Sequence, residues 1–137
     1  MPAPEFAPAH AKTSAHEAGY ANHASDKGGE TWRGIARKFW PTWEGWGRID
    51  AAKKVLRLSD VVLQVSAKAR QQLTTFLDKD ADLTTLVAEF YQREFWDRLG
   101  ILETDFQEWA EYAYDKAVNF GLPTGKDILA TMRKVGT

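Results

Sequence analysis

Glu17, Asp26 and Thr31 carry the plainest chemistry in this chain: a carboxylic acid, a second carboxylate nine residues on, and a hydroxyl five residues beyond that. Glu17 closes an Ala-rich stretch of good helix formers, and Asp26 and Thr31 lie in a Gly-punctuated segment where Gly28 and Gly29 let the backbone fold back toward the acid. A carboxylate in the last turn of a helix sits at the negative end of the macrodipole, which disfavours ionisation and raises its pKa. Such an acid can protonate a leaving oxygen, while an Asp positions a water or stabilises a sugar cation and a Thr orients that water. Cleavage of a glycosidic bond calls for that set. Singly, each residue has a plainer use, Glu17 as a frayed helix end, Asp26 as a turn former and Thr31 as a local contact; together they make a case.

Other chemistries lack their residues. His16-Glu17-Ala18-Gly19-Tyr20 begins like a zinc-protease helix but has Tyr20 where the second His must stand, and His10, His16 and His23 show no ligand spacing, so no metal is expected. There is no nucleophile elbow, no phosphate loop and no dinucleotide fingerprint, and Gly28-Gly29 reads as a turn. Of the six Trp, Trp32, Trp40, Trp43 and Trp46 fall within fifteen residues. Indole faces stack on sugars but more often fill cores. Trp32, Trp43 and Trp46 are candidates to line a glycan groove, with Tyr20 and Asn119 as further substrate contacts; Trp40, Trp96 and Trp109 read as core. Asp115 and Asn119 share a helix face at i, i+4 spacing, by default a solvated one.

Composition sets the frame. A chain of 137 residues suits one domain and buries roughly 68 % of its unfolded surface. Without cysteine, neither disulfides nor thiolate chemistry operate, and the compartment stays open. Eighteen Lys and Arg against nineteen Asp and Glu, interspersed to a net charge of -1, argue against nucleic acid as a partner. Residues 1–15 lack a basic n-region and an apolar core, so no Sec signal peptide is expected, and no run approaches the roughly 20 apolar residues of a membrane span. The chain is expected to be made in the cytoplasm, as a monomer, and to need another device to reach anything outside.

The elements that must hold these residues are helices. Residues 7–18 form the first, ended by Gly19 in a left-handed cap, and 19–34 form a loop or small β-hairpin. A short helix over 35–40 precedes an aromatic turn at 40–46. Helices follow at 49–58, at 60–77 capped by Ser59 with Val61, Val62, Val65, Ala69, Leu73 and Phe76 inward, and at 82–99 capped by Asp82 with Leu83, Leu86, Val87, Phe90, Tyr91 and Phe95 inward. A capping box of Thr104 and Gln107 opens a helix to Gly121 that buries Phe106, Trp109, Ala110, Ala113, Ala117 and Phe120, and a last helix spans 126–134. The class is mostly α.

Several ordered blocks resemble one family. Glu17-Ala18-Gly19-Tyr20, Asp26-Lys27-Gly28-Gly29-Glu30-Thr31 with Gly34-Ile35, Trp43-Glu44-Gly45-Trp46 with Ile49-Asp50, Phe90-Tyr91 with Phe95-Trp96-Asp97, and Ala113-Tyr114-Asp115 with Val118-Asn119-Phe120-Gly121 are similar to the blocks of the glycoside hydrolase family 108 muramidases, over about residues 6–121. The resemblance implies a lysozyme-like helical domain, hydrolysis of the β-1,4 bond between N-acetylmuramic acid and N-acetylglucosamine, and catalytic roles for Glu17, Asp26 and Thr31, without a cofactor. Ala18 departs from the family's usual Gly, and Trp32 from a smaller or more polar residue. On this likeness residues 6–100 are the catalytic part and 104–137 a partial peptidoglycan-binding region.

The expected function is therefore a muramidase acting on peptidoglycan strands, with Glu17 as general acid and a water-mediated, inverting outcome. Release through a holin or a secretion system would bring it to the wall. Two other readings stay open: a non-catalytic helical module that binds glycan or a partner, and a lytic transglycosylase that uses the same Glu17 and leaves a 1,6-anhydro product.

Overall fold

The computed structural model describes residues 2–15, 18–23 and 29–136. Helices dominate: α1 (Phe6–Ser14), α2 (Gly45–Leu56), α3 (Asp60–Val65), α4 (Ala67–Leu77), α5 (Ala81–Tyr91), α6 (Gln107–Phe120) and α7 (Leu122–Gly136). Strands β1 (Tyr20–Ala21), β2 (Thr31–Trp32) and β3 (Ile35–Ala36) form a small antiparallel sheet in that order. The mostly α class and the small hairpin after the first helix are as the sequence predicts. The chain divides into two compact units, residues 17–87 and residues 1–16 with 88–137.

In the unit of residues 17–87, the sheet and α2 to α4 enclose a core of Trp32, Ile35, Trp43, Trp46, Ile49, Leu63, Leu73, Leu77 and Leu83. Ile35 belongs to a strand, not to the predicted helix over 35–40. The cause is the Arg33-Gly34 turn, whose positive φ values of 49° and 82° give the hairpin connection that matches strand twist. Gly19 does not take a left-handed conformation. α1 ends instead on Ala15, in right-handed geometry.

The predicted helix over 60–77 is two helices. Ser66 adopts extended backbone, φ -115° and ψ 110°, and its hydroxyl accepts from the Ala69 amide at 3.1 Å, as the Ser59 hydroxyl accepts from Val62 at 3.2 Å. The break shifts the helical phase. Leu63, Ala69, Leu73 and Leu77 turn inward, while Val61, Val62, Val65 and Phe76 are exposed. Asp80, rather than Asp82, caps α5 by accepting from the Leu83 amide at 3.1 Å.

In the other unit, α1 packs on α6 through buried Ala9 and Thr13, and Phe6, His10, Tyr91, Trp96 and Tyr114 form an aromatic cluster. α5 ends at Tyr91 and the chain continues through a π turn, Gln92–Trp96, and a 3-10 turn, Asp97–Leu99, to Gly100 at φ 71°. The capping box at α6 does not form. Gln107 instead exchanges hydrogen bonds with the Glu5 backbone, at 2.7 and 2.9 Å, and Asp105 accepts from the Leu102 amide at 2.7 Å. Phe106 and Phe120, expected inside, are exposed. α7 starts earlier than predicted because Pro123 lies in its first turn, where a missing amide costs nothing. Gly125 is needed inside it: a Cβ there would lie 2.7 Å from the Ala113 carbonyl oxygen and 2.7 Å from the Ala117 Cβ.

Candidate functional site

Cross-strand register decides which side chains the sheet can offer. Tyr20, Trp32 and Ile35 stand in one row and Ala21, Thr31 and Ala36 in the next. Successive residues of a strand point to opposite faces. The Tyr20 row is buried, at 6, 3 and 1 % exposure, whereas Ala21, Thr31 and Ala36 are each half-buried. Thr31 is thus flanked on both sides by methyl groups, and among the described residues its hydroxyl makes no hydrogen bond.

Two of the expected catalytic residues, Glu17 and Asp26, lie outside the described residues, as does His16. Of the expected substrate contacts, Trp32, Trp43 and Trp46 are core residues at 3, 5 and 2 % exposure. Trp32 points away from the face that carries Thr31, Trp43 meets Trp46 edge to face at 5.4 Å, and the Trp46 indole N–H donates to the Trp40 carbonyl at 2.9 Å. Rings so enclosed present no stacking face, a correction to the groove-lining reading. Tyr20 is also buried, but its hydroxyl reaches the polar cluster described next. Asn119 is exposed on α6, in the other unit, and its amide donates to the Asp115 carbonyl at 2.8 Å. Thr13, four residues before Glu17 in sequence, donates its hydroxyl to the Asp115 carboxylate at 3.0 Å.

At the end of the sheet lies a cluster that spacing did not reveal. The Glu30 carboxylate accepts from the Tyr20 hydroxyl at 2.5 Å, from Arg37 at 3.0 Å and from Lys53. Arg37 also holds Asp50 through two hydrogen bonds, at 2.7 and 2.8 Å, and Lys53 reaches Asp60 at 3.3 Å. The Asn22 amide donates to the Tyr20 hydroxyl at 3.1 Å. Hydrogen bonding to Arg37 holds the Asp50 carboxyl below the usual carboxylate range, and the same bond holds the Arg37 guanidinium protonated. Burial, and then Glu30, push the Tyr20 phenol upward, so it serves as a donor. Its seven residues come from β1 (Tyr20), the segments that flank the strands (Asn22, Glu30 and Arg37), α2 (Asp50 and Lys53) and α3 (Asp60), and only Asp50 and Lys53, three apart on α2, had a spacing that could have signalled it. The cluster borders a cavity of about 600 Å³ lined by Glu30, Arg37, Asp50, Lys53, Lys54, Leu58, Ser59 and Asp60.

Among the described residues no group of His, Asp or Glu is placed to hold a metal ion, and no helix is long and apolar enough to cross a membrane. A mostly helical chain with a short three-stranded sheet, one face buried and the other carrying Thr31, is of the lysozyme-like class. The family model described as glycosyl hydrolase 108 matches residues 10–121, and the chain belongs to that family. It is a glycoside hydrolase by that membership, with a glycan as its class of substrate. Comparison with curated proteins and with solved structures found no match.

Proposed function

We propose that this chain is a peptidoglycan muramidase that hydrolyses the β-1,4 bond between N-acetylmuramic acid and N-acetylglucosamine. Glu17 protonates the glycosidic oxygen, a positive sugar ring develops, and a water organised by Asp26 and Thr31 completes the cleavage. What supports the reading is the family match across residues 10–121, which spans all three positions, together with the half-exposed Thr31 hydroxyl between Ala21 and Ala36. A half-buried hydroxyl residue with small cross-strand neighbours and no hydrogen-bond partner among the described residues has a donor and an acceptor to offer a water or a sugar.

The buried polar cluster at Glu30 supports a rigid floor for that face. By holding β1 through Tyr20, the end of β3 through Arg37 and α2 through Lys53, Glu30 fixes the strand whose next residue is Thr31. Positioning of this kind costs little at the moment of reaction because the geometry is set by folding.

The test is digestion of purified peptidoglycan followed by mass analysis of the products. Hydrolysis at the stated bond yields reducing N-acetylmuramic acid ends with the mass of one added water, whereas a transglycosylase leaves 1,6-anhydro ends without it. Glu17→Gln keeps the shape of the side chain but has no acidic proton to give, and it is expected to lower the rate at least about 100-fold. Full activity in a folded Glu17→Gln variant would remove Glu17 from the acid role.

A further inference from the structure

The cavity beside Glu30 holds more charge than acid-assisted cleavage of a sugar bond requires. Six of its eight lining residues are charged: Arg37, Lys53 and Lys54 against Glu30, Asp50 and Asp60. On the floor these charges satisfy one another. Lys53 and Glu30, with side chains only 10 and 11 % exposed, pair directly, and Arg37 bridges Glu30 and Asp50.

The rim is different. The Asp60 carboxylate is 72 % exposed and its ion pair is with Lys53 at 3.3 Å, a contact Lys53 already divides with Glu30 and Asp50. The Lys54 side chain lines the same cavity and makes no ion pair among the described residues. One exposed cation and one exposed, weakly held carboxylate therefore face a common space. A neutral sugar offers them hydrogen bonds but no opposite charge, and a ligand of a single charge would meet one of them with the wrong sign. A ligand with a carboxylate and an ammonium group satisfies both. The volume of about 600 Å³ lies inside the range of roughly 300–1,000 Å³ typical of small-ligand sites.

We propose that this cavity takes the peptide stem of the substrate, with a stem carboxylate against Lys54 and a stem amine against Asp60. The placement fits the chain: Glu30 immediately precedes Thr31, Arg37 immediately follows Ala36, and the Arg37 amide donates to the Glu30 carbonyl at 2.9 Å, so two of the lining residues stand at the end of the sheet where Thr31 pairs with Ala36. The identity of the occupant rests on the muramidase reading, because peptide stems hang from N-acetylmuramic acid.

The experiment uses the full chain and two readouts. Cleavage rates are compared on peptidoglycan bearing its stems and on the same material stripped of stems by an amidase, and binding of a free tripeptide of alanine, glutamate and lysine is measured by calorimetry. The unaltered protein is expected to prefer the stem-bearing polymer and to bind the tripeptide. Lys54→Ala and Asp60→Asn, both at the exposed rim, are each expected to weaken tripeptide binding about fivefold, the size of an exposed charge contact, and to bring the rate ratio toward one. Equal rates on the two polymers together with no tripeptide binding would overturn the proposal while leaving the muramidase reading intact. Tripeptide binding sensitive to Lys54 and Asp60 in a protein that cleaves neither polymer would uphold the peptide site and overturn the muramidase reading.

Discussion

Gly19 lies against the side chain of Thr74. A Cβ at position 19 would stand 2.7 Å from the Thr74 Oγ1, and the next residue, Tyr20, donates its amide to that same oxygen at 3.0 Å. The contact brings the start of β1 onto α4, so glycine is required here for closeness rather than for backbone freedom.

Gly19→Ala is accordingly expected to destabilise the protein by about 1–3 kcal/mol, the usual cost of overpacking, as measured by urea unfolding. A change below about 0.5 kcal/mol would show that Thr74 yields at no cost and that the contact does not hold β1 in place.

Lys53 and Glu30 form an ion pair that is nearly enclosed. Lys53→Met leaves the Glu30 carboxylate with Tyr20 and Arg37 among the described residues, and removing one partner of a buried pair costs about 3–5 kcal/mol. Glu30→Gln with Lys53→Met is expected to cost less than the two single changes summed, because neither charge is then stranded. Additive losses would mean that the pair does not act as one.

Trp46 is enclosed at 2 % exposure and bonded to the Trp40 carbonyl. Trp46→Ala should lower stability by about 3–5 kcal/mol. Trp46→Phe keeps most of the ring but loses the hydrogen bond, and it is expected to lower stability by about 1 kcal/mol with KM for glycan unchanged. A raised KM at unaltered stability would return this ring to the substrate groove.

Asp105, almost wholly buried, is held by two hydrogen bonds from Arg133, at 2.9 and 2.7 Å, and one from the Leu102 amide. These keep its carboxyl below the usual carboxylate range, Arg133 being the main cause. A carboxylate whose pKa is depressed on folding contributes stability that is present above its unfolded value near 4 and lost as the pH falls through the folded one. Asp105→Asn is expected to flatten the acid limb of the stability curve below about pH 4; an unchanged limb would assign it to other carboxylates, such as Glu111 beside Lys12.

His10 runs the other way. It is half-buried among Phe6, Tyr91 and Tyr114, its Nδ1 lies 2.9 Å from the Tyr114 hydroxyl, and burial lowers its pKa. The fold thus prefers the neutral ring, so this contribution is complete above the unfolded value of about 6.5 and declines as the pH falls toward the folded one. Replacing His10 by Phe should remove a loss of stability between pH 7 and 5, followed by thermal unfolding across that range.

Much of this molecule is written in local pattern. Helical periodicity, the Ser59 cap, Gly100 at the end of a helix and the Gly-rich stretch announce a mostly α chain with a small sheet, because capping and apolar spacing act over a few residues. The ordered blocks from Glu17 to Gly121 likewise give the family, and with it the candidate acid. Packing decided the rest. Whether Ser66 ends one helix and caps another depends on which side of α3 and α4 meets the core, and the answer exposes Val61, Val62 and Val65. Trp32 and Trp46 have the composition of a sugar platform and the burial of a core, and only tertiary structure separates the two roles: the sheet register sets Trp32 and Thr31 on opposite faces, and the packing of α2 encloses Trp46. The Glu30 cluster could not be read in advance because its partners, Tyr20, Arg37 and Lys53, are distant in sequence, and charges meet at such separations only when strands and helix have docked.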